Sequence, residues 1–269
     1  MPALEQLAII AGSGVYPQLL AQAARRAGVK QIAAVAFTGE TDATLAGLVD
    51  EICWLRVGQL NRMLAVLREW NIPRAIMAGQ ITPRHLFELR PDWRALILLA
   101  KLKQRNAESI FSAIGQELLN AGVTLLPATT FLEDLLAPPG LFAGPRLSRR
   151  ENADVEFGWE IAMQIAALNI GQTIVVRKGT VLAVEGFDGT DETIRRGAAL
   201  ANGKAVVIKV AKPNQDMRFD VPVLGPRTIT AEVEAKVRVI AVQAGRTLLL
   251  EKNVLIERAT RAGISLVGR

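Results

Sequence analysis

The sequence predicts an α/β protein whose first half is a parallel sheet with helices packed on it. Short continuous apolar runs recur at 7–11, 31–37, 53–57 and 74–78. Helix-periodic stretches alternate with them, and glycines end several of the runs. Continuous rather than alternating apolar strands belong to sheets buried on both faces, which are characteristically parallel. The chain's 269 residues are also comfortable for two domains.

The run 7–11 reads as a strand ended by Gly12-Ser13-Gly14. Residues 15–27 carry helical periodicity, stopped by Gly28. Strands follow at 31–37 and 53–57. An amphipathic helix over 59–71 precedes Pro73, and a strand over 74–78 ends at Gly79. Helices are expected over 92–103 and 107–121, then a short strand over 123–127. Pro138-Pro139-Gly140 and Gly144-Pro145 mark a stiff connection, so the expected division is a first domain over 1–132, a linker over 133–150 and a second domain over 151–269.

The second domain opens with a helix over 151–168. Strands at 173–177 and 180–185 are joined by a Lys178-Gly179 turn. A helix over 191–200, capped by Thr190 or Asp191, leads to a strand over 205–210. A helix over 230–237, a strand pair at 239–242 and 247–250 around Ala244-Gly245, a helix over 252–262 and a closing strand at 265–267 complete the reading.

Composition removes several classes of function. One cysteine, Cys53, and one histidine, His85, exclude a zinc site built from His and Cys, so any metal must be a hard cation held by oxygens. The lone cysteine suits a reducing compartment. The start, MPALEQLAIIAGSG, lacks the pattern of a secretory leader, and no apolar run approaches the roughly 20 residues that span a bilayer. The net charge of +6 points to anionic partners. The basic residues are not interleaved with exposed aromatics in a recognisable nucleic-acid module, so no nucleic acid is expected.

Ligands of parallel sheets sit past the carboxyl ends of strands, which points to Gly12, Gly14, Gly79 and Gln80. Gly12-Ser13-Gly14 allows two readings: contact with a phosphate or nucleotide, or a tight turn with no ligand. A dinucleotide fingerprint is incomplete, because Pro17 replaces the third glycine and Glu40 is the only acid near the end of the second strand.

In AVEGFDGTDETIRR, residues 183–196, a strand delivers Glu185 and a Gly-rich turn presents Asp188, Thr190 and Asp191 beside Arg195 and Arg196. These are helix caps, substrate contacts, or both. The richest stretch is KPNQDMRFDVPVLGPRT, residues 212–228. Lys212, Gln215, Asp216, Arg218, Asp220 and Arg227 lie there among Pro213, Pro222 and Pro226. Phe219, Val221 and Pro222 favour partial burial of Asp220. A partly buried carboxylate needs a cation, for which Lys212, Arg218 and Mg²⁺ are candidates.

The basic run Arg84, His85, Arg90, Arg94, Lys101, Lys103 and Arg105 is threaded through Phe87, Trp93 and Leu96 to Leu99. It reads either as a helix on an anionic membrane or over a lipid chain, or as a helix packed on the core with its charges in water. The second, commoner arrangement is expected for most of it.

Taken in order, IIAGSGVYP, IMAGQITP, LNIGQTIVVRKGTVLAVEGFDGTDETIRR and KVAKPNQDMRFDVPVLGPRTI resemble one family over nearly the whole chain. It is the UDP-2,3-diacylglucosamine pyrophosphatases of lipid A biosynthesis, of the LpxI type rather than the calcineurin-like type. The resemblance implies a Rossmann-like N-terminal domain, a second α/β domain and a ligand cleft between them. It implies Mg²⁺-dependent hydrolysis, with Mn²⁺ as a substitute metal, of UDP-2,3-diacylglucosamine to UMP and 2,3-diacylglucosamine 1-phosphate, in the cytoplasm. Asp220 takes the catalytic aspartate's position and is the expected metal ligand. Asp191 joins it as a catalytic candidate. Gly12, Gly14, Gly79, Gln80, Glu185, Thr190, Lys212, Gln215 and Arg218 are the expected substrate contacts. Gln80 stands where family members carry asparagine, and Asp188 where they carry glutamate. The resemblance leaves room for peripheral contact with the inner membrane and for a homodimer. Two other readings stay open: a non-catalytic binder of UDP-sugar lipids and a nicotinamide-dependent oxidoreductase.

Overall fold

The computed structural model describes residues 4–81, 91–102, 107–226, 228 and 236–269. The chain divides into two compact units. One runs to Leu132 and includes Met217–Asp220; the other comprises Glu133–Asp216 and Val221–Arg269.

The first unit holds β1 (Gln6–Ala11), β2 (Gln31–Phe37), β3 (Glu51–Leu55), β4 (Arg74–Ala78) and β5 (Thr124–Leu125). They form one sheet in the order β3-β2-β1-β4-β5, every pair parallel. This is the doubly wound order, and its switch point lies between β1 and β4. β1 and β2 are buried along almost their whole length, as their unbroken apolar runs require.

Helices α1 (Tyr16–Arg26), α2 (Leu60–Glu69), α3 (Trp93–Lys101) and α4 (Ala107–Asn120) accompany this sheet. Pro17 falls in the first turn of α1, where its missing N–H costs no hydrogen bond. Asp92 fixes two helix starts at once. Its Oδ1 accepts the Ala95 N–H of α3 at 2.9 Å, and its Oδ2 accepts the Asn61 N–H of α2 at 2.6 Å.

The second unit holds β6 (Gly140–Ala143), α5 (Arg149–Ala167), β7 (Thr173–Arg177), β8 (Thr180–Val184), α6 (Thr190–Ala201) and β9 (Ala205–Lys209). After them come β10 (Val223–Leu224), β11 (Val237–Val242), β12 (Leu248–Leu249), α7 (Lys252–Ala262) and β13 (Ser265–Gly268). Its main sheet runs β6-β13-β11-β9-β7-β8, parallel at the centre and antiparallel towards both edges. Alternate residues face opposite sides. Val175 and Val207 join Ile194 and Ala198 of α6, whereas Ile174, Val206 and Ile208 join Val155 and Ala162 of α5.

The β7–β8 hairpin turns at Lys178 and Gly179, both left-handed at φ 51° and 71°, the pattern of a two-residue hairpin turn. The buried carboxylate of Asp154, on α5, accepts both turn N–H groups, at 2.9 and 2.7 Å. Ser148 and Glu151 form a reciprocal capping box that starts α5.

Three expectations differ from what is found. The stretch 133–150, expected as a linker, contributes β6 to the main sheet of the second unit and the cap of α5. Residues 239–242 and 247–250 do not pair: β11 lies between β9 and β13, and β12 pairs with β10. Met217–Asp220, expected in the second domain, group with the first unit. Most of the helix expected over 230–237 lies outside the described residues, as do Arg84, His85, Arg90, Lys103, Arg105 and Arg227.

Candidate active site

At the switch point the turns after β1 and β4 cross each other. Gly12 N–H donates to Ala78 O at 2.7 Å and Ser13 N–H to Gln80 O at 2.7 Å; Gln80 N–H returns a bond to Ser13 O at 3.2 Å. A Cβ on Gly12 would lie 2.5 Å from Gln80 O, and one on Gly79, at φ +93°, 2.6 Å from Ser13 O. These two glycines are therefore required by backbone crossing backbone. The Gly12 and Ser13 N–H groups, which a phosphate-cradling turn would offer to its ligand, are already engaged. Gly14, at φ +87°, has open space where its side chain would be, and the Gln80 side chain is exposed. The turn thus fits the reading without a cradled dinucleotide. Glu40, three residues past the end of β2, is buried.

Beside this crossing is a cavity of about 280 Å³, reached by Gly12, Gly79, Met63 of α2, Leu98 and Leu99 of α3 and Phe111 of α4. Among the described residues lining it, Gln59 is the one polar side chain, and its Oε1 already accepts the Arg56 N–H at 2.7 Å. Such a chamber suits an apolar group rather than a hydrated one.

Phe219 also lines this cavity and stacks on Phe111, with ring centroids 5.7 Å apart and planes at 25°. The Arg218 guanidinium carbon lies 6.0 Å from the Phe219 ring centre. Two further bonds tie down the start of this segment. Ala128 N–H donates to Met217 O at 2.7 Å, and the Tyr16 hydroxyl donates to Ala128 O at 2.5 Å. Burial of Tyr16 pushes its phenol pKa well above the ordinary value. Asp220, half-buried, directly follows this anchored ring.

Upstream, Lys212 and Gln215 close a turn. Lys212 N–H donates to Gln215 Oε1 at 2.6 Å, and Gln215 N–H to Lys212 O at 3.2 Å. The Gln215 side chain is buried, and its Nε2 has no hydrogen-bond partner among the described residues. A buried amide donor left in that state is costly and calls for an acceptor.

In the second unit, Glu185, Thr190 and Lys209 converge. The Thr190 hydroxyl donates to Glu185 Oε1 at 2.8 Å, Gln172 N–H donates to Glu185 Oε2 at 3.1 Å, and Lys209 Nζ donates to Thr190 Oγ1 at 3.4 Å. Neither Thr190 nor Asp191 caps α6. The cap position is Gly189, at φ +79°, with no side-chain cap bond. Asp191 is exposed in the first turn, where the helix dipole favours an acid. Asp188 accepts Arg196 NH2 at 2.8 Å and the Gly186 N–H at 3.0 Å. The Arg196 hydrogen bond first, then the Gly186 N–H, hold its carboxyl below the ordinary range.

Comparison with known proteins decides the family. The LpxI N-terminal domain matches residues 6–135 and the LpxI C-terminal domain residues 138–267. The chain belongs to the LpxI family. A relative from Caulobacter vibrioides, named UDP-2,3-diacylglucosamine pyrophosphatase LpxI, is 28% identical over 276 residues and aligns over 98% of each chain. Among solved structures, the biotin carboxylase domain of the Hydrogenobacter thermophilus 2-oxoglutarate carboxylase is 11% identical at a TM-score of 0.29, matching 67% of this chain and 36% of that one. The biotin carboxylase subunit of a pyruvate carboxylase is 14% identical at a TM-score of 0.28, matching 68% and 36%. This chain thus spans little more than a third of either, and likeness at that level bears on nothing below.

The residues singled out in this LpxI-family sequence fall into separate groups. Gly12 and Gly79 join Phe219 around the cavity, Lys212 and Gln215 share a turn, and Glu185 and Thr190 share a hydrogen-bond cluster. Two residues escaped the sequence reading. In sequence, Phe219 reads only as a neighbour that buries Asp220. Lys209 lies inside an apolar run, and a charge in the last position of β9 is its one signal. As for a divalent cation, no group of three or more His, Cys, Asp or Glu side chains able to hold one occurs among the described residues. A hard cation held by one carboxylate, its waters and substrate phosphates needs no such cluster, so a single Asp220 ligand fits Mg²⁺.

Proposed function

We propose that the chain hydrolyses the diphosphate of UDP-2,3-diacylglucosamine, releasing UMP and 2,3-diacylglucosamine 1-phosphate. The observation that carries this reading is that Asp220, half-buried, directly follows Phe219 in the chain, and Phe219 lies in the wall of an apolar cavity. A lipid-bearing diphosphate needs both: an apolar wall to receive part of an acyl chain and an acid near its phosphates. The name of the Caulobacter relative supports the same substrate.

In this reading water adds to one phosphorus, the bridging P–O bond breaks, and each half leaves as a phosphate monoester. Asp220 orients the attacking water. It would also hold Mg²⁺ or, as a substitute, Mn²⁺; when bound, the ion offsets diphosphate charge. Lys212 and Arg218 neutralise charge that builds in the transition state. Gln215 Nε2, a buried donor in need of an acceptor, bonds a substrate oxygen. Within the second unit, Glu185 and Lys209 hold the Thr190 hydroxyl in place. Gly14 and Gln80 border the substrate beside the β1–β4 crossing. A nucleotide-linked lipid suits the cytoplasmic face of the inner membrane.

The test is to incubate the purified chain with Mg²⁺ and either UDP-2,3-diacylglucosamine or UDP-N-acetylglucosamine, and to identify products by mass. UMP from the diacylated substrate alone is expected. Saturable binding without UMP would replace this reading with a non-catalytic lipid carrier.

A further inference from the structure

Helix α3 is apolar on two sides. Ala95 is buried, and Leu98 and Leu99 line the cavity. On the other side Trp93, Leu96 and Ile97 are 62%, 54% and 46% exposed, and Ala100 and Lys101, also exposed, continue the stripe. Positions i, i+3, i+4, i+7 and i+8 share one face of a helix. On a helix bordering water that face is normally polar; here it offers an indole and two branched aliphatic chains to the outside.

The charge of the sequence that carries this helix says what covers it. The whole chain carries +6, and the stretch 84–105, which includes α3, holds six Arg and Lys against two Asp and Glu. Within α3, Arg94 pairs with Glu117 and Lys101 stands exposed at the end of the stripe. An apolar stripe within a basic segment complements an anionic lipid surface. A second copy of the chain would instead bring two basic segments together, which repel.

We propose that the outer face of α3 docks on an anionic phospholipid surface. Trp93, Leu96 and Ile97 enter the boundary between headgroups and acyl chains, and Lys101 meets lipid phosphates. Contact is by one face, since no described helix is long and apolar enough to cross a membrane. The inner face of the same helix lines the chamber assigned above to acyl chains, so docking would bring that chamber to the lipid surface. This purpose rests on the lipid-substrate reading; the docking itself is measured without substrate, so the two fail separately.

The test is sedimentation of the full chain with phosphatidylglycerol/phosphatidylethanolamine vesicles and with phosphatidylcholine vesicles. Binding to the anionic vesicles, weakened by salt, is expected. Leu96→Glu with Ile97→Glu should cut it by about tenfold or more, while leaving unchanged both the thermal melt and hydrolysis of detergent-dispersed substrate. Brominated phosphatidylglycerol should quench emission in the wild type, and Trp93→Phe should remove most of that quenching. Absence of wild-type binding, equal binding to phosphatidylcholine, or an unaltered double variant would overturn the proposal. So would a wild-type dimer that the double variant splits, since a second copy would then cover the face.

Discussion

Phe111 and Phe219 stack at 5.7 Å between ring centroids, one on α4 and the other one residue before Asp220. The ring pair fastens the acid-bearing segment to the apolar chamber. Stacking of this kind adds about 1 kcal/mol beyond the area buried. Phe111→Ala should therefore destabilise the first unit by about 2 kcal/mol, less than a fully buried Phe→Ala change because both rings are only half-buried. It should also lower kcat/KM for the diacylated substrate by about tenfold. Urea unfolding and steady-state kinetics check both.

Tyr16 is the chain's single tyrosine, so tyrosinate absorbance reads this one hydroxyl. Its folded-state pKa is raised by burial above the ordinary 10.0. The raised value favours the neutral phenol, so its contribution to stability is complete below pH 10 and is lost as pH rises from there towards the folded-state pKa. Tyrosinate should appear only together with unfolding. Tyr16→Phe should abolish that alkaline dependence and, by leaving Ala128 O without its donor, cost about 1–2 kcal/mol at neutral pH.

Asp154 holds the β7–β8 turn through two charge-assisted bonds to Lys178 and Gly179 N–H. Asp154→Ala leaves both donors without that acceptor and should destabilise the second unit by about 3 kcal/mol. Hydrogen exchange should then rise first at the hairpin turn.

Gly79→Ala meets two penalties, a left-handed φ and a Cβ 2.6 Å from Ser13 O. A loss of about 2 kcal/mol or more is expected from thermal melts. Gly14→Ala, with open space around its Cβ but a φ of +87°, should lose only about 1 kcal/mol.

Much of the fold was legible because the inner strands of the first sheet are buried on both faces. β1, β2 and β4 therefore announce themselves as continuous apolar runs, and Gly12 and Gly79 mark where two of them end. The edge strand β3 keeps an apolar run although Glu51 and Trp54 are exposed. β6 was hidden because Gly140–Ala143 is short, bounded by prolines, and takes its partner from the far end of the chain. β10 and β12 are two residues each, too brief for a period to emerge. In the candidate site, Glu185, Thr190, Lys212 and Gln215 were visible as polar residues crowded near strand ends. Lys209 was not, because its meaning comes from Thr190 and the Val223 carbonyl, both remote in sequence. Phe219 looked like filler beside Asp220 for the same reason: Phe111 is its partner only in three dimensions.

The most direct measurement is UMP release from UDP-2,3-diacylglucosamine by the Asp220→Ala protein, paired with a binding titration of the same substrate. The account predicts a fall in kcat of about a thousandfold or more, with substrate still bound and the melting temperature little changed. Turnover close to that of the unsubstituted chain would remove Asp220 from the chemistry, and with it the link between the Phe219 chamber and the diphosphate.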